Sequence, residues 1–239
     1  MPALFRRRLL WVPTWRGLLV FVAFAAIAIV TAARHAGGFL QFDEPARGPD
    51  GRGARLLVVE GWLDDGDLDA AIAAYRRGRY ERLVTSGGPI ESWREIQPWP
   101  TYADRAADYL RRHGLADAAI ATAPAPETRK DRTFLSALKV REWAERAGLA
   151  RGEAIDIYSA SVHARRSRGV YRMAFGGDIE VGVLAAPARR YDVEHWWTTS
   201  EGVKTVLDEA VSLAWTACCF WPPVAPPWPA RSTSASSLG

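Results

Sequence analysis

Arg55-Leu56-Leu57-Val58-Val59-Glu60 sets four consecutive aliphatic residues between two charged ones, and Gly61-Trp62 follows directly. A strand with one wet face would alternate apolar and polar side chains; an unbroken apolar run of this length reads as a strand covered on both faces. Working outward, the same form recurs at residues 82–86 (RLVTS), 119–123 (AIATA), 154–160 (AIDIYSA) and 179–184 (IEVGVL). The intervening stretches, at about 67–78, 102–114, 132–148 and 164–175 with a last one near 200–220, carry apolar residues spaced by three and four. In the third of them Leu135, Leu138 and Trp143 recur on one side, while Lys139, Arg141, Glu142 and Glu145 are left for solvent. Gly78, Gly114 and Gly148 stand where helices are expected to end. Strand alternating with helix predicts an α/β fold, a three-layer Rossmann-like domain over residues 55–220 with a mostly parallel sheet of about five strands.

The chain has 239 residues, 49% hydrophobic and 24% charged, which suits one domain with appendages and excludes a disordered chain or a disulfide-held miniprotein. Its formal charge of +4 is confined to residues 1–33, where Arg6, Arg7, Arg8 and Arg16 face no acid. The rest balances 27 Lys and Arg against 27 Asp and Glu, so no electrostatic footprint for nucleic acid exists. Residues 17–33 (GLLVFVAFAAIAIVTAA) are uncharged; as a helix they reach ~25 Å, near the lower limit for crossing a bilayer. Three readings stay open: a retained signal anchor behind a basic cytoplasmic tail at 1–16, a secretory signal cleaved near Thr31-Ala32-Ala33, or a buried core helix. The arginines ahead of the run favour a cytoplasmic N-terminus and a translocated body. Residues 34–54 read as a juxtamembrane linker and 221–239, rich in Pro and Ser, as a poorly ordered tail. Cys218 and Cys219 are adjacent, where a mutual bond would be strained; small buried hydrophobes is the simpler reading, and no disulfide framework follows.

In a parallel sheet, ligand chemistry gathers at the carboxyl ends of the strands. There the sequence offers Glu60-Gly61-Trp62, then Ser86-Gly87-Gly88, then Glu127 leading into Arg129-Lys130-Asp131-Arg132-Thr133, then Ser159, Ser161, His163 and Arg166. Ser86-Gly87-Gly88 can let backbone N–H groups approach an anion, or it is only a turn. His163 and Arg166, three apart at a helix start, suit a phosphate or carboxylate, or form a surface basic patch with Arg165 and Arg168. Glu127 with Arg132 is either an acid/base with a substrate clamp or a loop salt bridge. No Gly-x-Ser-x-Gly elbow surrounds Ser86 or Ser159, and neither a phosphate-binding P-loop nor a Gly-x-Gly-x-x-Gly turn is present. Asp64, Asp65, Asp67 and Asp69 lack the closing Glu of a calcium loop and fit the first turn of a helix, so no metal is expected. His113 and His195 have no obvious partners, and Trp196-Trp197 reads as core or as a stacking surface for sugar or lipid.

In their order along the chain these pieces resemble the YdcF/SanA/ElyC family of bacterial α/β proteins over about residues 55–215. Glu127 and Thr133 fit one family stretch, with Lys130 and Arg132 where Ser and Asn are common. Ser159, His163 and Arg166 fit another, with Ser in place of Thr. The resemblance implies a pocket with His163 as general acid or base and Glu127 orienting it or a water. Gly61, Ser86, Gly87, Gly88, Arg132, Thr133, Ser159 and Arg166 would bind the ligand, with neither metal nor cofactor. Family members with a membrane segment are linked to envelope and peptidoglycan maintenance. For this chain that implies a single-pass protein of the bacterial inner membrane, its main domain outside the cytoplasm. Its ligand would be a phosphorylated small molecule or lipid-linked precursor, and any enzyme activity that of a hydrolase or transferase. Two other readings are a non-catalytic scaffold with Trp196 and Trp197 in an interface, and a nucleoside-cofactor site of the S-adenosylmethionine type, associated with soluble members.

Overall fold

The computed structural model describes residues 14–48, 51–90, 98–223 and 228. Five strands, β1 (Leu56–Glu60), β2 (Arg82–Gly87), β3 (Ile120–Pro124), β4 (Ala154–Ala160) and β5 (Glu180–Ala186), form one parallel sheet in the order β3-β2-β1-β4-β5. The helices are α1 (Trp15–Leu40), α2 (Asp65–Arg77), α3 (Tyr102–Arg112), α4 (Arg132–Arg146), α5 (Ala164–Phe175) and α6 (Ser200–Cys218). This is the three-layer, Rossmann-like arrangement expected from the run at residues 55–60. All of β1 is buried because it is covered twice. Leu56 and Val58 join Phe134, Val140, Val170 and Tyr171 beneath α4 and α5, while Leu57 and Val59 join Leu68, Ile72, Ala106 and Leu110 beneath α2 and α3.

Strand periodicity then places the polar residues. Glu60, Ser86 and Ser159 each follow by two positions an aliphatic residue of the α4/α5 face (Val58, Val84 and Ile157), so all three end their strands on that face. The acids 64–69 belong to α2 as expected: Asp64 caps it by accepting from the Asp67 amide, Asp65 and Asp67 pair with Arg105 and Arg189, and Asp69 accepts from Tyr109.

The appendages depart from expectation. α1 continues through Leu40 rather than ending at Ala33, and its last turns dock on the body, where Leu40 packs with Val162, Trp196 and Val206 and Trp196 Nε1 donates to the Ala33 carbonyl. The apolar part of α1 stands clear of the body with none of it buried, which removes the core-helix reading; it is long and apolar enough to cross a membrane. Residues 41–48 are a docked strap instead of a free linker. Glu44 pairs antiparallel with Val183 of β5, and the Ala46 amide donates to Asp156 Oδ1 at 2.6 Å. Gly182 permits this, since a Cβ there would lie 2.0 Å from the Ala46 nitrogen. Burial raises the Asp156 carboxyl against the hydrogen bonds from Ala46 and Tyr80.

Part of the expected C-terminal tail is also ordered on the core: Trp228 is buried, its amide donating to Asp178 and its Nε1 to the Leu149 carbonyl. The remainder of that tail beyond Pro223, and the basic segment with Arg6, Arg7 and Arg8, lie outside the described residues. Cys218 and Cys219 are exposed at the end of α6 and their sulfurs are joined, so the buried-hydrophobe reading does not hold: the apolar run around them faces outward on a helix with one buried stripe. His113 stacks on Tyr109, and His195 pairs with Asp192. Trp196 is core and Trp197 is half-exposed beside Arg34.

Candidate functional site

A cavity of about 1060 Å³ opens over the carboxyl ends of the strands. It lies where the strand order turns back between β1 and β4, the position at which open α/β sheets hold ligands. Ser86 and Gly87 of β2 with Gly88 just after it, Glu127, Arg132 and Thr133 after β3, and His163 and Arg166 after β4 all line it. Eight of the ten sequence-predicted residues are therefore gathered in one place, because they stand at the carboxyl ends of three strands of the same parallel sheet.

The other two serve beneath it. Gly61 does not line the cavity: a Cβ at this position would stand 2.3 Å from the Tyr102 carbonyl oxygen, so the glycine lets the end of β1 pack against the start of α3. Ser159 is fully buried and donates its hydroxyl to Glu60 Oε2 at 2.6 Å, which makes it a support for that carboxylate rather than a ligand contact.

Three residues absent from the sequence-derived site complete the cavity. Glu60 closes the floor, buried and accepting from Ser159 on one oxygen and from Ser167 of α5 on the other at 2.8 Å. Its signal was available: a carboxylate two positions beyond a buried valine on a doubly covered strand must point into protein or into a cavity. Trp62 stands edge-on to the His163 ring with centroids 5.0 Å apart. Glu209, from α6, holds His163 at 2.6 Å through Nδ1 and takes Arg166 on both oxygens, Nε at 2.9 Å and Nη2 at 2.9 Å. Nothing near His163 in the chain announces it, since the pairing spans 46 residues and depends on how α6 crosses α5.

This corrects the role expected of Glu127. The carboxylate that orients His163 is Glu209, while Glu127 is exposed on the cavity rim. Burial would raise the Glu209 carboxyl, but the hydrogen bonds and charges of His163 and Arg166 outweigh it and hold it at about 2. An ionised partner on Nδ1 fixes the proton there and presents Nε2 to the cavity end. That atom is buried with no hydrogen-bond partner among the described residues and stands 4.0 Å from Glu60 Oε1. Ser86, by contrast, is committed: its Oγ lies 3.1 Å from the buried Tyr171 hydroxyl, whose ionisation burial pushes far up, so that partner is no base for the serine.

The first turn of α4 also lines the cavity. Asp131 precedes it at φ 53° with no side-chain cap, and the N–H groups of Thr133 and Phe134 have no acceptor within the helix. Among the described residues no cluster of three His, Cys, Asp or Glu side chains is placed to hold a metal ion.

Fold and site together define an α/β protein of Rossmann-like topology, with a strand-end cavity containing a carboxylate-held histidine and with an apolar N-terminal helix. Comparison with protein-family models, with curated proteins and with solved structures found no match.

Proposed function

We propose that this is a membrane-anchored envelope protein of the YdcF/SanA/ElyC type whose cavity takes a phosphorylated or pyrophosphorylated metabolite, such as a lipid-linked cell-wall precursor. The observation that carries the reading is one cavity lined both by an amide-rich mouth and by a histidine whose buried Nε2 has no hydrogen-bond partner among the described residues. The mouth is built from Gly87, Gly88 and the uncapped first turn of α4 with Arg132 and Thr133 beside it, groups that suit phosphate oxygens. His163 then exchanges a proton with a hydroxyl or water, and Glu209 stabilises the imidazolium that forms. A cavity tethered by α1 would meet a lipid-borne ligand at raised effective concentration. The scaffold alternative loses half of its interface, because Trp196 is core.

For the full chain in nanodiscs, calorimetry should detect binding of pyrophosphate and of a polyprenyl phosphate. Arg132→Gln should weaken both by about tenfold, the scale of one lost charge-assisted hydrogen bond. If neither compound binds, or if Arg132→Gln and His163→Ala bind both as tightly as the parent, the reading is wrong. The orientation has its own check. A reporter enzyme fused after Gly239 should be active outside the cytoplasmic membrane, as the arginines ahead of α1 require; activity confined to the cytoplasm reverses the topology.

A further inference from the structure

The floor of the cavity is not an anion site. Arg166 has its charge taken up by Glu209 on both carboxylate oxygens, and His163 is held by the same acid. What faces the ligand at the deep end is the buried carboxylate of Glu60, to which two serine hydroxyls donate among the described residues, with Trp62 alongside. A phosphate group placed there would meet a fixed negative charge in a poorly solvated pocket, where repulsion is strongest. The 4.0 Å between His163 Nε2 and Glu60 Oε1 is too long for a hydrogen bond, yet a single oxygen atom about 2.8 Å from both would bridge them and satisfy the buried Nε2, which has no partner among the described residues. That oxygen must carry a hydrogen for Glu60, and it can exchange a second hydrogen bond with Nε2. A hydroxyl meets both demands; an ionised phosphate oxygen, an acceptor only, does not.

Two indoles line the cavity, Trp62 at 43% exposure against the His163 ring and Trp215 at 59%. Flat apolar faces beside a hydrogen-bonding carboxylate suit a ring that carries C–H bonds on its faces and hydroxyls at its edge. The volume of about 1060 Å³ also exceeds what a bare phosphate or pyrophosphate fills.

We propose that the floor is a hydroxyl subsite and that the ligand is a phosphorylated glycosyl or polyol compound. Its carbinol end rests on Glu60 and His163, and its phosphate points to Gly88 and the first turn of α4. This rests on the phosphate reading given above and adds the chemistry and direction of the remaining part of the ligand.

The test compares glucose 1-phosphate, glycerol 3-phosphate, ethyl phosphate and inorganic phosphate on the full chain in nanodiscs, by calorimetry. A lipid-linked glycosyl phosphate incorporated in the same discs forms a parallel arm, which separates a lipid headgroup from a soluble sugar phosphate. The hydroxyl-bearing compounds should bind about tenfold or more tighter than ethyl phosphate, since a buried acceptor left unpaired penalises the analogue without the hydroxyl. Glu60→Gln should reduce that preference to about twofold while leaving ethyl phosphate unchanged. Equal affinity for all four in the parent overturns the proposal and leaves the phosphate reading standing. So does a Glu60→Gln protein that binds inorganic phosphate about tenfold more tightly, because the phosphate would then lie on the floor. No binding of any phosphate compound removes both. If Glu60→Gln does not fold, Trp62→Ala replaces it: the same loss of preference supports the subsite, and an undiminished preference rejects it.

Discussion

Glu209→Gln lowers the thermal midpoint at pH 7 by about 5–10 °C. The carboxylate is buried and accepts from Arg166 on both oxygens, so a neutral amide leaves a buried guanidinium short of its counter-charge. Breaking a buried pair from one side costs about 3–5 kcal/mol, and we take about 2–3 because the amide still accepts one hydrogen bond and Arg166 retains some water contact. A domain of this size loses about 2–4 °C per kcal/mol. The pH dependence follows from the direction of the shift. The folded-state pKa of Glu209, about 2, is below that of an ordinary carboxylate. Its contribution is therefore complete above roughly pH 4.5, the ordinary range of a glutamate, and disappears as pH falls from there through the folded value. Melting curves of parent and variant should differ by a constant amount from pH 6 to 8 and converge toward pH 2.5. Coincident midpoints at pH 7 would show that the contacts among Glu209, His163 and Arg166 carry no net stabilisation.

Trp228→Ala is expected to cost about 3 kcal/mol, hence about 6–12 °C, within the range for truncating a buried aromatic residue. Trp228 stacks on Phe175 with centroids 5.7 Å apart, lies 5.3 Å from the Arg141 guanidinium and donates to the Leu149 carbonyl at 2.9 Å. Trp228→Phe should recover roughly half of the loss, since it keeps the stacking but not the indole N–H. A melting temperature unchanged in the alanine variant would return this segment to the unpacked tail that its composition predicts.

Both variants probe features that lay outside the reach of local pattern. Residues 55–60 and the four runs like them announce strands because double coverage leaves no polar alternation, and the same argument orders the helices between them. Strand ends then bring Ser86, Glu127 and His163 around one cavity, since consecutive parallel strands present their carboxyl ends on the same side. Glu60 was legible too, by counting two from Val58. Gly61 and Ser159, expected as ligand contacts, do not line the cavity: one makes room for α3 and the other holds Glu60.

What the sequence by itself determined is the class of fold, the strand ends that meet, and the apolar length of α1, because each follows from spacing within a few residues. The tertiary structure alone decided that Glu209 rather than Glu127 governs His163, that residues 41–48 close on β5, and that Trp228 returns to the core. Each of those is a contact between segments far apart in the chain, fixed by the packing of whole helices and strands against one another, and such packing leaves no periodic mark on either partner.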